Sequence, residues 1–153
     1  MNQTRTGALA VRMKRVISGP AEAVYAAFLD PDLLMRWYAP AGSRLAEVEV
    51  DPRVGGRHHT VVIDQDGGRH ENHCEILELI PAEKIVMTWI YRGPQPLADP
   101  SEQLLTVEFR ALGDRSTELT LLHERLDTVA DRDGVRAGWS SLLDRLEEVI
   151  ADA

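Results

Sequence analysis

"GVRAGWSSLLDRLEEVI", residues 134–150, is the stretch on which the fold turns. Val135, Trp139, Leu142, Leu143, Leu146, Val149 and Ile150 fall at offsets 0, 4, 7, 8, 11, 14 and 15, with Asp144, Arg145, Glu147 and Glu148 between them. That spacing puts one apolar stripe on a long amphipathic helix, and the stripe needs a cover. The preceding chain supplies a sheet. "ALAVRMKRVIS" (8–18) alternates with a period of two and stops at Gly19-Pro20, as a strand ended by a breaker pair does. Six more strand-like segments follow at 44–50, 57–64, 69–79, 84–91, 102–111 and 117–124.

Two short helices separate the first strand from the second. "PAEAVYAAFLD" (20–30) has Pro20 suited to a first turn, Glu22 near the positive end of the helix dipole, and Val24 and Phe28 on one face. Asp30-Pro31 caps and opens the next helix, where Leu33 and Trp37 are four apart. The predicted fold is α+β: a curved antiparallel seven-stranded meander wrapped around a long C-terminal helix, with two short helices between strands 1 and 2. A sheet curled around one helix encloses space, which large side chains or a ligand must fill.

At 153 residues the chain suits a single domain, with 1–7 read as a frayed end. A single cysteine excludes an internal disulfide framework and fits a reducing compartment. No leader pattern is visible, and no apolar run approaches the ~20 residues of a membrane span, so a cytoplasmic protein without membrane insertion is expected. The net charge of −8, with no basic stripe, repels phosphate backbones and argues against nucleic acid. "RGPQPLADPS" (92–101) reads as a long hairpin connection and a candidate flap.

"SGPAEAVYAAFLDPDLLMRWYAP" (18–40), "VDPRVGGRH" (50–58), "ELIPAEKIVMTW" (78–89), "LLTVEFRALGDRSTELTLLHERL" (104–126) and the C-terminal stretch resemble the successive motifs of the SRPBCC superfamily. This is the START-like, helix-grip or Bet v 1-like group. The branch most similar is that of bacterial proteins like the C-terminal domain of the activator of the heat-shock chaperone ATPase. The resemblance runs from about Gly7 to the end. It implies a helix-grip fold, while the function stays open among lipid binders, polyketide cyclases and hormone receptors.

Four of the five histidines fall between His58 and His73, next to Cys74. In "VVIDQDGGRHENHCEIL" (61–77), Asp66-Gly67 signals a two-residue hairpin turn. Pairing Gln65 with Gly68 would set His58 against Glu75, His59 against Cys74 and Thr60 against His73. Alternation then sends His58 and His59 to opposite faces, so the pair cannot clamp one ion. His58, Thr60, His73 and Glu75 would share the concave face with Leu77 and Leu79, leaving Cys74 on the convex one as a structural residue. Two histidines and a carboxylate could hold zinc. The set matches no known ligand spacing, and a polar patch lining a cavity is the simpler reading, so no metal is expected. The resemblance implies an aromatic at the position of His58 and a glycine near His73–Cys74, so this chain departs from its relatives there.

Alternation extends the concave face through Ile85, Met87, Trp89 and Tyr91, through Leu105, Val107 and Phe109, and through Leu119, Leu121 and His123. The helices add Phe28, Trp37, Trp139 and Leu143. For the apolar members, plain core packing is the competing account. Trp37, Trp89 and Trp139 are all the tryptophans of the chain, and each indole N–H needs a partner. His123 ends the last strand on the inward side, where it either meets a ligand or ties the strand end to a neighbour. Gly138 is read as letting the long helix approach another element.

The candidate ligand-binding set is therefore Phe28, Trp37, His58, Thr60, His73, Glu75, Met87, Trp89, Tyr91, Val107, Phe109, His123, Trp139 and Leu143. No catalytic residue, metal or cofactor is assigned, because no nucleophile–base–orienter pattern is visible. The expected function is binding of a hydrophobic small molecule, lipid or polyketide-like, between sheet and C-terminal helix. A cyclase- or hydratase-like enzyme using the same cavity ranks second. A chaperone-associated module ranks third, since no counterpart of that activator's separate N-terminal domain is seen. A homodimer and a chaperone partner stay open as partners.

Overall fold

The computed structural model describes residues 8–94 and 102–152. Strand β1 (Leu9–Ile17) leads into helices α1 (Ala21–Ala27) and α2 (Pro31–Trp37). Strands β2 (Arg44–Val50), β3 (Arg57–Ile63), β4 (Arg69–Ile80), β5 (Lys84–Arg92), β6 (Gln103–Ala111) and β7 (Thr117–Leu126) follow, then helix α3 (Val129–Ala151). The expected α+β helix-grip architecture is present, with all seven strands antiparallel in one sheet. Strands β2 to β7 form the meander. The first strand departs from it, because β1 lies beyond β7 and not beside β2. The two intervening helices carry the chain across the sheet, and β1 takes the edge that β7 would otherwise leave unpaired. The frayed end expected at 1–7 and the flap expected within 92–101 lie, wholly or largely, outside the described residues.

Helix α3 starts well before its apolar stripe. Thr128 caps it, its hydroxyl oxygen accepting from the Asp131 N–H at 3.0 Å. Trp139 and Leu143 are buried, as the gripped-helix reading requires. Toward the C-terminus Leu143, Leu146, Val149 and Ile150 join Ile17, Val24 and Phe28 in one core. Arg15 of β1 fixes the helix from the side, pairing with Asp144 at 2.7 Å and donating to the Ser140 carbonyl at 3.3 Å.

The β3–β4 turn corrects the expected register. Asp64, not Gln65, closes the hairpin: its N–H donates to the Gly68 carbonyl at 2.9 Å. The Asp64 carboxylate accepts from the N–H groups of Asp66 (2.9 Å) and Gly68 (2.7 Å), and Gly67 takes φ +84°. This is a three-residue loop with a glycine in the left-handed region, stabilised by an aspartate that folds back on its own turn. Adding one residue to the loop moves every β4 side chain to the other face. His58 pairs with Cys74, His59 with His73 and Thr60 with Asn72. His58 and His59 still face opposite ways, as expected. His73 and Glu75 lie on the outer face with His59, and Cys74 packs in the core. Leu77 continues the outward set and is exposed, against the expectation that it faces inward, and a bulge between Ile76 and Glu78 then turns Leu79 onto the core.

Leu143→Ala should destabilise the fold by about 2–5 kcal/mol, since a fully buried leucine leaves a cavity behind. Leu77→Ala should stay within about 0.5 kcal/mol. Urea unfolding of both variants checks the contrast; equal losses would contradict the inward and outward assignments.

Candidate functional site

The grip is incomplete along α3. Trp139 and the leucines after it fill the space to the sheet, but the first half of the helix presents Ala130, Gly134 and Gly138, spaced by four on one face. A side-chain carbon built at Gly134 or Gly138 would meet nothing within 4 Å. The result is a cavity of about 590 Å³ between this face, the inner surface of the sheet and the segment after α2. Gly138 therefore keeps space open and does not bring the helix close to a neighbour, as the sequence suggested.

Of the residues singled out from the sequence, Trp89, Tyr91, His123 and Trp139 line the cavity. Phe28, Trp37, Met87, Val107, Phe109 and Leu143 are buried in the surrounding core, where the Trp37 indole N–H donates to the Ala27 carbonyl at 2.9 Å. His58 and Thr60 are also buried on the inner side, but behind the cavity wall. One His58 nitrogen, Nε2, bonds the Phe28 carbonyl at 2.9 Å, and Nδ1 has no hydrogen-bond partner. His73 and Glu75 are absent from the inner face because of the register change.

The same change turns His70 and Asn72 into the cavity, and Asp64 and Gln103, which the sequence reading also missed, line it beside them. Asp127 and Asp131 add carboxylates from the start of α3, and Tyr38 reaches in from the end of α2. Two signals in the sequence were available: the Asp-x-x-Gly turn at Asp64–Gly67, and small residues recurring every four from Ala130.

Two hydrogen-bonded chains organise the lining. In the first, the Trp139 indole N–H donates to Nδ1 of His123 at 3.1 Å, so the ring proton sits on Nε2, which donates to the Gln103 side-chain oxygen at 2.6 Å. Burial pushes His123 down to about 4, which keeps it neutral in this arrangement near pH 7. In the second, Nε2 of His70 lies 2.8 Å from an Asp64 carboxylate oxygen and Nδ1 lies 2.6 Å from the Tyr91 hydroxyl. The hydrogen bond from His70 leads the effects that hold Asp64 below the ordinary carboxylate range. Burial, then the Asp64 charge, raises Tyr91. With the carboxylate able only to accept, the Nε2 proton of His70 points to Asp64, and the Tyr91 hydroxyl can donate to Nδ1 when that nitrogen is bare. Gly93 makes this possible, since any side chain there would overlap the Tyr91 hydroxyl. Burial also drives the Cys74 thiol far above its ordinary value, so it has no nucleophilic character.

A long helix gripped by a curved sheet, with an open hollow under its first half, defines a helix-grip domain. The chain belongs to the Activator of Hsp90 ATPase homolog 1-like (AHSA1) family, whose model matches residues 18–151. Among solved structures, protein CV1439 from Chromobacterium violaceum is 30% identical with a TM-score of 0.81, covering 92% of this chain and 96% of that one. The AHSA1 protein from Silicibacter pomeroyi, 20% identical with a TM-score of 0.80 over 94% of this chain and 98% of that one, shares the fold. No curated protein matches. No helix among the described residues is long and apolar enough to cross a membrane.

Burial of His123 gives stability a pH dependence of defined sign. A free imidazole titrates near 6.5, so between that value and about 4 the unfolded chain binds a proton that the folded ring refuses. The contribution is complete above pH 6.5 and is lost as pH falls toward 4, on the order of 3 kcal/mol. His58, lowered first by burial, acts in the same direction. Unfolding free energies measured from pH 7 to 4 should decline, and His123→Gln should flatten the curve. An unchanged slope in the variant would remove His123 from this account.

Proposed function

We propose that the chain binds one small, flat, largely apolar molecule in the cavity under the first half of α3. The observation that carries this is the glycine-kept hollow of about 590 Å³, within the ~300–1,000 Å³ range of small-molecule sites. Trp89 on the sheet and Trp139 on the helix pack against each other with ring centroids 5.7 Å apart, so together they offer one continuous aromatic surface to the cavity. Polar anchors are few and come mainly from the Asp64–His70–Tyr91 chain and Asn72. Charge narrows the ligand class. Among the described residues three aspartates line the cavity and no lysine or arginine does. A carboxylate ligand would lose its hydration beside like charge, so neutral aromatic or polyketide-like molecules fit better than fatty acids.

A thermal-shift and tryptophan-fluorescence screen of neutral flavonoids, neutral aromatic polyketides and fatty acids tests this reading. Neutral planar compounds should quench the fluorescence and stabilise the fold by about 2.7 kcal/mol at a hundredfold excess over the dissociation constant. Gly138→Leu should intrude into the hollow and weaken binding while leaving the helix at least as stable, because leucine is favoured over glycine in a helix by nearly 1 kcal/mol. No response from any compound would overturn the binding reading and leave the outer surface, in keeping with the chaperone partner in the family's name, as the better site of action.

The Asp64–His70–Tyr91 chain favours a second reading, proton transfer on the bound molecule. A ligand proton taken up by the Tyr91 oxygen can be matched by transfer of the tyrosine's own proton to Nδ1 of His70, and the Asp64 carboxylate steadies the resulting imidazolium. In deuterated water, NMR should then show hydrogen exchange at an enolisable carbon of a bound ketone, lost in Tyr91→Phe. No exchange above buffer with a ligand that does bind would assign the site to binding alone.

A further inference from the structure

We propose that the outer face of the sheet carries a zinc site made of His59, Glu71 and His73. This reverses the expectation from the sequence that the protein carries no zinc, which was reached by weighing only His58, His73 and Glu75, a set the true register separates. That same register sets His59 of β3 directly opposite His73 of β4. Their rings stack with centroids 4.1 Å apart and planes 24° apart. Glu71, two residues before His73 on the same face, brings one carboxylate oxygen to 3.0 Å from Nε2 of His73 and 4.0 Å from Nε2 of His59. One donor atom from each of the three lies within 4.8 Å of the others.

Three further features favour a cation there. Nε2 of His59 is shut off from solvent yet has no hydrogen-bond partner, although it points toward a carboxylate. A metal between the two would satisfy both. Tetrahedral zinc, with bonds of about 2.0–2.2 Å, holds its donors roughly 3.4 Å apart, so binding requires the two stacked imidazoles to turn until both nitrogens aim at one ion. Arg69 binds the other Glu71 oxygen at 3.1 Å and Glu47 at 2.9 Å, which turns the free oxygen toward the imidazoles. The ligand side chains are 21–38% exposed, so a turn of the His59 ring opens its buried nitrogen to an ion that keeps a water as fourth ligand. Two imidazoles and one carboxylate suit zinc, whereas magnesium and calcium prefer all-oxygen sets. The sheet separates this cluster from the cavity, so the inference stands independently of the ligand.

The test is calorimetric titration of the metal-stripped full chain with zinc alone at pH 7.5. One zinc per chain is expected, with a rise in melting temperature. His59→Ala, His73→Ala and Glu71→Gln should each lower affinity by at least about tenfold. His70→Ala, on the inner face, should leave it unchanged. Circular dichroism confirms that each variant is folded, and His59→Gln and His73→Gln replace any alanine variant that is not. Absence of zinc binding, or wild-type zinc affinity retained in both histidine variants, would overturn the proposal.

Discussion

The Asp64 side chain closes the β3–β4 turn on the N–H groups of Asp66 and Gly68, and its second oxygen bonds His70. One carboxylate thus fixes the length of a loop, the register of two strands and the orientation of a cavity histidine. Because side chains in a strand alternate, that loop length decides the face of every residue from Arg69 to Ile76. His70 and Asn72 turn inward with His58 and Thr60. Glu71 and His73 turn outward with His59. The cavity chemistry and the outer cluster are two consequences of the same turn.

The second organising feature is the division of α3. Its C-terminal half is bound to the core by Leu143, Leu146, Val149 and Ile150, and by Arg15 of β1 through Asp144. Its N-terminal half gives up packing at Gly134 and Gly138. Glycines inside a helix cost stability, and voids forgo dispersion contacts. A chain selected for stability alone would fill that hollow. The well-packed half holds the helix in place, so the open half keeps its distance from the sheet.

Inside the hollow, low dielectric decides protonation. His123 stays neutral because a charged ring there would lose its hydration, and neutrality lets it accept from Trp139 while donating to Gln103. The lining therefore has its hydrogen-bond directions set before any ligand arrives, which lowers the ordering cost of binding. The carboxylates at the helix start and at Asp64 add a sign preference. Shape, polarity and charge together are the grounds on which a neutral, flat guest is proposed.

The α3 stripe, the strand alternation and the Gly19-Pro20 and Asp30-Pro31 boundaries were legible in the sequence because period and local backbone preference are local properties. They determined the element order, the gripped helix and the burial of Trp139 and Leu143. The inward positions of Trp89, Tyr91 and His123 followed from alternation in the same way. The partner of β1 was not legible, since strand pairing across two intervening helices is a long-range choice. Nor was the face of His73, because a two-residue and a three-residue loop both suit "DQDGG", and only the folded-back carboxylate of Asp64 distinguishes them. Whether Gly138 served close approach or open space depended on what stood opposite it. That was decided by tertiary structure alone, where the curvature of the sheet sets the distance a missing side chain leaves unfilled.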